Sequence, residues 1–566
     1  MRLTHTYILF AFVIGLCFQA NGQKYVRVFN QLNDSVSPSK SDTLLRIEND
    51  QRNRLESKDW ILNHFYSLGY IEAEIDSLRG NDTLDVFIKT GPKYRWNTLT
   101  YSKLIEPVAA YYRWNLDSVS QVNLLHINLL IEQSLVYFEN RGYPFAKIFL
   151  KDFAINNGFL SAVLDAELGQ QVLFDSIWIS GEVNISTHFL EKLIGIKKGQ
   201  FWNEALFEQI PANIKRIEFA ELVEMPIVSF YKNKASCKII LKPRKSNSFD
   251  AVFGFYSNEQ TGKLSLTGDA NLLLMNSLGG GERFELRWQR PVSGSQMLDV
   301  ETVFPYLLKT NWGLNYNLNL FRQDSSFLNV ANGLDLAYRI SFNHYFALKL
   351  EQMSSQITLL KRDSTHKSTS SLLYGLGYSF DSRDWKLNPT RGFFVNFDLL
   401  AGNRLVKSYG DASEANQVST LKAQSKFLVE YYKRLLKRNV LVLKSSGGFI
   451  FSDGLVQNEK FRIGGLASLK GFDEQSIFSS SYIIANFEYR YLLSNLGYFS
   501  VFYNHGFVNQ NDLPEFSLKN YAGFGLGGLL DTGGGIISLY LALGKGPNTP
   551  LNFNNAKVHF GYLIQF

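Results

Sequence analysis

The chain is short of the groups that catalysis, metal binding and helical membrane folds require. Of its 566 residues two are cysteine, Cys17 and Cys237, eight are histidine and thirteen are proline. After the N-terminus no apolar run reaches the roughly 18 residues of a spanning helix, which excludes a helical membrane protein. The histidines are scattered, with no pair at metal-ligand spacing and no cysteine partner, so no metal site is expected. No Gly-x-Ser-x-Gly nucleophile elbow occurs. Gly279-Gly280-Gly281 lacks the strand-then-helix setting and the Lys-Ser/Thr of a phosphate cradle, and reads as a hairpin. Asp381 and Asp384 flank Arg383 ahead of Pro389, which reads as a charged turn and not as a working carboxylate pair. No catalytic residue, cofactor or enzymatic activity is expected. The net charge of +7 is spread among interspersed acids and bases. That suits mild attraction to anionic lipid head groups and gives no nucleic-acid footprint.

The first residues, Met1-Arg-Leu-Thr-His-Thr, lead into an apolar stretch from Tyr7 to Phe18 and then Ala20-Asn21-Gly22. A short basic region, an apolar core and small residues predict a signal peptide over 1–22, cleaved before Gln23. The alternative, a lipoprotein signal using Cys17, is disfavoured by bulky Leu16 where a small residue is wanted. Cleavage at Gln23 leaves Cys237 alone, so no intramolecular disulfide is expected.

What the chain has in quantity is alternation. In its closing segment Val558, Phe560, Tyr562, Ile564 and Phe566 make one apolar face, and His559, Gly561 and Gln565 make a smaller, wetter one. A period of two is that of a β-strand, and an apolar face with a polar reverse suits a wall between lipid and a wet lumen. Strands live in lipid only inside a closed barrel, where every backbone N–H and C=O is paired. About sixteen such strands are predicted from Phe249 onward, at about 20 residues per strand and loop. Aromatics at 14%, with 45 Phe and 29 Tyr, fit strands and membrane interfaces. The mean hydropathy of −0.11 does not argue against this, because a barrel hides polar residues in its lumen.

Before Arg244 the texture is mixed helix and strand, and it repeats. Phe65-Tyr-Ser-Leu-Gly69-Tyr70-Ile-Glu-Ala73 recurs as Phe138-Glu-Asn-Arg-Gly142-Tyr143-Pro-Phe-Ala146. A second marker, beginning at Gly91, recurs at Gly169, and two markers in register make a duplication. A degenerate third copy is expected, with a helix over 209–219 and strands near 226–230 and 235–241. Each unit reads as an opening strand, two helices, a Gly-Tyr turn and a closing hairpin. In the second, Leu124, Ile127, Leu130, Ile131, Leu135 and Phe138 form one helical stripe. Gly69 and Gly142 fit helix-ending positions with a left-handed backbone, with Tyr70 and Tyr143 packing back over the turn. The competing reading is three generic α+β domains.

Three such repeats before a sixteen-strand barrel resemble the BamA/TamA superfamily of outer-membrane insertases and translocases. Gly464-Gly465-Leu-Ala-Ser-Leu-Lys470-Gly471-Phe472 resembles its signature loop, which folds into the lumen with a basic–Gly–aromatic tip. Phe380-Asp381-Ser-Arg383-Asp384 with Pro389 and Gly392 resembles the family's Asp-x-Arg-Asp turn. Glu488 matches an acidic wall position, Phe502-Tyr-Asn504-His-Gly506 matches the next strand, and Phe566 matches a terminal aromatic assembly signal. Two departures stand out: the tip Arg is Lys470 and the strand Asp is Asn504. By alternation Asn486, Glu488, Arg490, Phe502, Asn504 and Gly506 face the lumen, so Lys470 is expected to pair with Glu488 and donate to Asn504. Lysine, a point charge, holds such a site less firmly than a guanidinium fork. The competing reading makes Lys470 a solvated loop base.

The resemblance implies α+β POTRA repeats at 23–91, 92–169 and 170–245, then a transmembrane antiparallel β-barrel over 246–566. It implies an outer-membrane assembly factor of a Gram-negative bacterium, TamA-like in length and repeat number, with the repeats in the periplasm. The expected partners are unfolded outer-membrane or exported proteins, outer-membrane lipids, and periplasmic or lipoprotein accessory subunits. Client strands would add to repeat edges, then to a lateral seam between Phe249, Phe253, Phe255 and Phe560, Tyr562, Phe566. The alternatives are a two-partner secretion pore for one exoprotein, against which the three repeats count, and a passive channel, which needs no repeats.

Overall fold

The computed structural model describes residues 25–30, 43–46, 54–79, 83–116, 122–257, 264–290, 295–323, 326–357, 367–386, 388–409, 415–466, 468–511, 517–532, 535–547 and 550–563. The expected signal peptide, Cys17 and Phe566 lie outside them, as do the side chains of Phe253, Phe255, Phe560 and Tyr562. The chain forms two compact units: one runs to Leu173 with Phe201–Ala205 and Tyr231–Lys234, and the other takes the remainder.

The first unit holds two repeats of one design. Strands β1 (Tyr25–Asn30) and β2 (Thr43–Arg46), the helix Arg54–Ser67, and strands β3 (Glu74–Arg79) and β4 (Thr83–Lys89) form a sheet of order β2-β1-β4-β3. Then β5 (Arg95–Tyr101), the helices Glu106–Tyr112 and Leu124–Glu139, β6 (Lys147–Asn156) and β7 (Phe159–Glu167) form a sheet of order β5-β7-β6. In both, the opening strand pairs parallel with the last strand of the hairpin. The longer helix buries Ile127, Leu130 and Phe138 over the sheet, with Ile131 beside them. Asn123 caps it, accepting from the N–H groups of Leu125 and His126.

The Gly-Tyr turns superpose in detail. Gly69 has φ 96° and Gly142 φ 99°. Tyr70 N–H donates to Phe65 O and Tyr143 N–H to Phe138 O, both at 3.1 Å, the six-to-one bond of a glycine-ended helix. Each Tyr ring then meets the ring of the same Phe edge-on. The duplication visible in the residues is therefore a duplication of helix termination.

Most of the third repeat belongs to the second unit. It comprises β8 (Leu173–Gly181), the helices Thr187–Ile194, Glu204–Glu208 and Ile210–Lys215, and β9 (Ala220–Leu222), β10 (Ile227–Tyr231) and β11 (Lys234–Pro243), ordered β10-β11-β8 with β9 on β11. The helix expected over 209–219 is only Ile210–Lys215. Pro211 opens it, where its missing N–H costs nothing, and the chain leaves it early to bury Ile217 and Phe219. Ala235, Cys237, Ile239 and Leu241 alternate into the core. Burial pushes the Cys237 thiol up to about 11, so it stays neutral and inert at physiological pH. Maleimide at pH 7.5 should leave Cys237 unlabelled in the folded protein and label it fully in urea, read by mass spectrometry.

The rest is a sixteen-stranded antiparallel sheet. Its first eleven strands are β12 (Ser248–Ser257), β13 (Leu264–Met275), β14 (Arg283–Arg290), β15 (Gln296–Phe304), β16 (Trp312–Gln323), β17 (Phe327–Ser341), β18 (His344–Ile357), β19 (Ser368–Asp381), β20 (Gly392–Tyr409), β21 (Ala415–Leu436) and β22 (Asn439–Ser452). A long excursion carrying β23 (Phe461–Ile463) and β24 (Ile477–Ser479) follows, then β25 (Ser481–Leu492), β26 (Tyr498–Asn509), β27 (Leu518–Asp531), β28 (Ile536–Lys545) and β29 (Lys557–Leu563). Large apolar side chains stand exposed at alternate positions: Leu334, Leu336 and Tyr338 on β17, Phe487, Tyr489 and Tyr491 on β25, and Phe499, Val501 and Tyr503 on β26. That is a lipid face. His505 points out with them, its ring against Phe507 and its Nδ1 against the Tyr503 hydroxyl.

In one respect the expected closed barrel is corrected. Strands β12 and β29 approach each other as the two ends of the sheet, but among the described residues no register joins them. Among the described residues β29 pairs with β28 over seven positions, from Leu563 opposite Ile536 to Lys557 opposite Ala542. Gly561 within it presents no side chain toward Ser538 on its neighbour.

Candidate functional site

The excursion between β22 and β25 folds into the lumen. Its turns need backbone that β-carbons resist: Gly464, Gly465 and Gly471 have φ of 114°, 94° and 95°. The Ser468 hydroxyl accepts from Gly464 N–H and donates to Gly464 O, and Gly465 N–H donates to Leu469 O, closing a tight base. Ile463, Leu469, Phe472 and Ile477 of the loop then pack on Ile484, Val508 and Tyr521 of the wall.

The tip Lys470-Gly471-Phe472 lies backbone against backbone on β27 and β28. A β-carbon on Gly523 would stand 1.9 Å from the Lys470 carbonyl oxygen, and one on Gly544 would stand 2.3 Å from that of Gly471. These two glycines are register partners, and Gly523 in turn opposes Asn504. The wall therefore carries a notch cut by missing side chains. Asn504 donates to Ser468 O at 3.3 Å, Gly506 leaves room for Leu469, and the Phe472 ring meets Tyr521 edge-on at 5.4 Å.

The expected Lys470–Glu488 pair does not form. Glu488 takes Arg490 instead, two residues along the same face, whose Nε donates to Oε1 at 3.0 Å. The forked guanidinium reaches both carboxylate oxygens without leaving its strand, which the lysine cannot match from the loop. Lys470 Nζ settles 4.8 Å from the Phe502 ring centre and 5.9 Å from that of Tyr540. Such a cation over aromatic faces is worth about 0.5–2 kcal/mol, more as water is excluded. Nor does Lys470 donate to Asn504, whose amide goes to the loop backbone. The residue is buried, not a solvated base. Phe502, Asn504 and Gly506 touch the loop, while Glu488 acts one step back: Arg490 stacks on Tyr498, whose hydroxyl meets that of Tyr540 at 2.8 Å.

A second anchor sits at the root of the loop, and no motif announced it. Glu459 is fully buried and paired with Arg404 of β20, Nη2 to Oε2 at 2.5 Å, with Lys422 of β21 at 3.7 Å. Arg404 also donates to the carbonyls of Asp453 and Gly454. Beside it the Asn458 amide donates to Ser355 and to Lys367 O, and its carbonyl accepts from Asn329.

The Asp-x-Arg-Asp turn is a rim device. Arg383 grips Asp381 with Nε at 2.8 Å and Nη2 at 2.7 Å and reaches Glu430 with Nη1 at 2.9 Å. Asp384 accepts from Thr390 and Arg391, which carries the chain past Pro389 to Gly392, φ 112°. Strands β14–β16 line a polar cavity of about 440 Å³ with Arg283, Glu285, Arg287, Asp299 and Glu301. Among the described residues no group of three His, Cys, Asp or Glu stands close enough to hold a metal ion.

Residues 276–562 match the sequence profile of the Omp85 superfamily domain. The chain belongs to the Omp85 superfamily. No curated protein matches it in sequence. Among solved structures it is similar to CdiB from Escherichia coli at 14% identity and TM-score 0.50, over 90% of this chain and 96% of that one. It is also similar to CdiB from Acinetobacter baumannii at 14% identity and TM-score 0.50, over 84% of this chain and 90% of that one. A third similar structure is BamA from Haemophilus ducreyi lacking POTRA domains 1-3, at 15% identity and TM-score 0.46, over 83% and 99%. The Omp85 chain thus pairs POTRA-like repeats with the superfamily's outer-membrane barrel, a class of protein insertases and secretion pores and not of enzymes.

Proposed function

We propose that this Omp85 protein receives unfolded proteins in the periplasm of a Gram-negative bacterium and passes them into or across the outer membrane. The observation that carries the reading is the junction of β12 and β29, where among the described residues no register joins the two end strands beside a lipid face. A client strand pairing there satisfies its backbone before it meets lipid. Folding in the membrane supplies the driving force, so no nucleotide or cofactor is required.

The repeats offer a receiving edge. Among the described residues strand β6 has one partner, β7, and it exposes Phe149 before a bulge at Asp152 and Phe153, Phe153 within it, and Ile155 beyond it. An extended client segment adds there by main-chain hydrogen bonds, with apolar side chains laid on these rings. Phe149→Lys with Phe153→Lys should lower photo-crosslinking of an unfolded barrel to this strand several-fold and leave the thermal stability of the repeats unchanged. Equal crosslinking in the variant would count against β6 as the edge.

Depleting the protein and quantifying every other outer-membrane barrel tests the function. A broad fall with unfolded barrels in the periplasm marks a general insertase. Loss of one exported protein alone marks a dedicated secretion pore, the second reading, which the likeness to CdiB over 90% of the chain keeps in play. No change in any outer-membrane or exported protein overturns both. Accessory lipoprotein or periplasmic subunits, if engaged, would co-purify through the repeats.

A further inference from the structure

The loop tip and the residues after it cross the inside of the seam. Lys470 lies over Phe502 of β26, Gly471 against Leu543 and Gly544 of β28, and the Phe472 ring against Tyr521 of β27. Asp473 then takes Lys557, the first residue of the last strand, at 2.6 Å. Glu474 turns back onto the loop, its carboxylate accepting from Leu466 N–H at 3.2 Å. Gln475 reaches β15, its side-chain amide 3.0 Å from the Met297 sulfur. Within six residues the loop thus touches the final strands and, through Gln475, strand β15 on the other side of a junction at which no backbone register is formed among the described residues. Gln475 makes the crossing with φ 52°, a conformation that a residue with a β-carbon holds only when its surroundings impose it.

We propose that Lys470–Gln475 is an internal strap that holds β29 against the opening strands, and that the seam opens when Asp473 leaves Lys557. The ends of the strap differ in strength. The tip is buried in the glycine notch, whereas the Asp473–Lys557 pair is largely open to solvent, side chains 71% and 36% exposed. An exposed ion pair is weak and easily exchanged. The strap is therefore built to let go of the last strand first while the tip stays seated. A client strand that comes to lie against β29 competes for this contact, which deepens the function proposed above and rests on it.

The test is a distance measurement on the full-length protein in lipid nanodiscs. Nitroxides at Ala251 and Val558, both on the outer face of the end strands, report the seam width by pulsed electron resonance. Lys557→Asp should shift the distribution to longer, broader distances, and Asp473→Lys should do the same. The double exchange Asp473→Lys with Lys557→Asp should restore the narrow distribution. Asp473→Asn, which adds no charge, should give a smaller shift, and the gel mobility of unheated samples verifies folding of each variant. Unchanged distances in the single variants, or a double exchange that stays broad, overturns the strap. Depletion tests client assembly separately: a shift in distance with no effect on clients keeps the strap and removes the insertion reading.

Discussion

Gly523→Val ejects the loop tip from the wall and abolishes activity, because the new side chain stands where the Lys470 carbonyl now lies. The clash is with backbone, at 1.9 Å for the β-carbon alone, so no rotamer change relieves it. Overpacking of this kind costs typically about 1–3 kcal/mol. Here that is comparable with what seats the tip: a cation over two rings, one side-chain hydrogen bond and the Phe472–Tyr521 contact. The displaced loop should become cleavable by trypsin after Lys470, read as two fragments on a denaturing gel, while the folded barrel keeps its mobility. Gly544→Val should do the same against Gly471. Gly506→Ala, whose β-carbon meets Leu469 at an ordinary 3.4 Å, should behave as the parent protein and separates the notch from a general intolerance of side chains.

Glu459→Gln should be the most destabilising single change in the barrel. It strands the Arg404 guanidinium and the Lys422 ammonium, both fully buried, with no ionised partner at the loop root. Breaking one member of a buried ion cluster costs about 3–5 kcal/mol, most of it the unpaired charge left behind. The temperature at which the folded band converts to the unfolded band on gels should fall by many degrees. Removing all three charges together, Arg404→Met, Lys422→Met and Glu459→Met, should recover much of the loss. A triple variant no better than Glu459→Gln would show that the geometry of the fork, and not the burial of charge, holds the root.

The two anchors were unequally visible beforehand. The tip was legible because Gly464, Gly465 and Gly471 mark turns and because Lys470 and Phe472 resemble a known pattern. Its partner was misjudged: Glu488 stood at the matching position, but Arg490 shares its face two residues away and takes it. The notch was not read from the sequence, although Gly523, Gly525 and Gly527 alternate at the period of one strand face. What fills it was not legible, because the loop arrives from about fifty residues earlier in the chain. Glu459 gave no signal at all. An acid beside Asn458 in a polar loop looks solvated until the arrangement of β20 and β21 buries it.

By itself the sequence determined the strand pattern, the repeats and the turns that end their helices. Each of these follows from local rules: a period of two for a wall with two faces, a period near 3.6 for a helix on a sheet, and glycine where φ must be positive. Only the tertiary structure decided which residues meet in the lumen, that among the described residues no register joins β29 to β12, and that Asp473 and Gln475 reach opposite sides of that junction. Those are contacts between segments far apart in sequence, set by the curl of a sixteen-stranded sheet. Alternation says which face a side chain takes and nothing about what stands across from it.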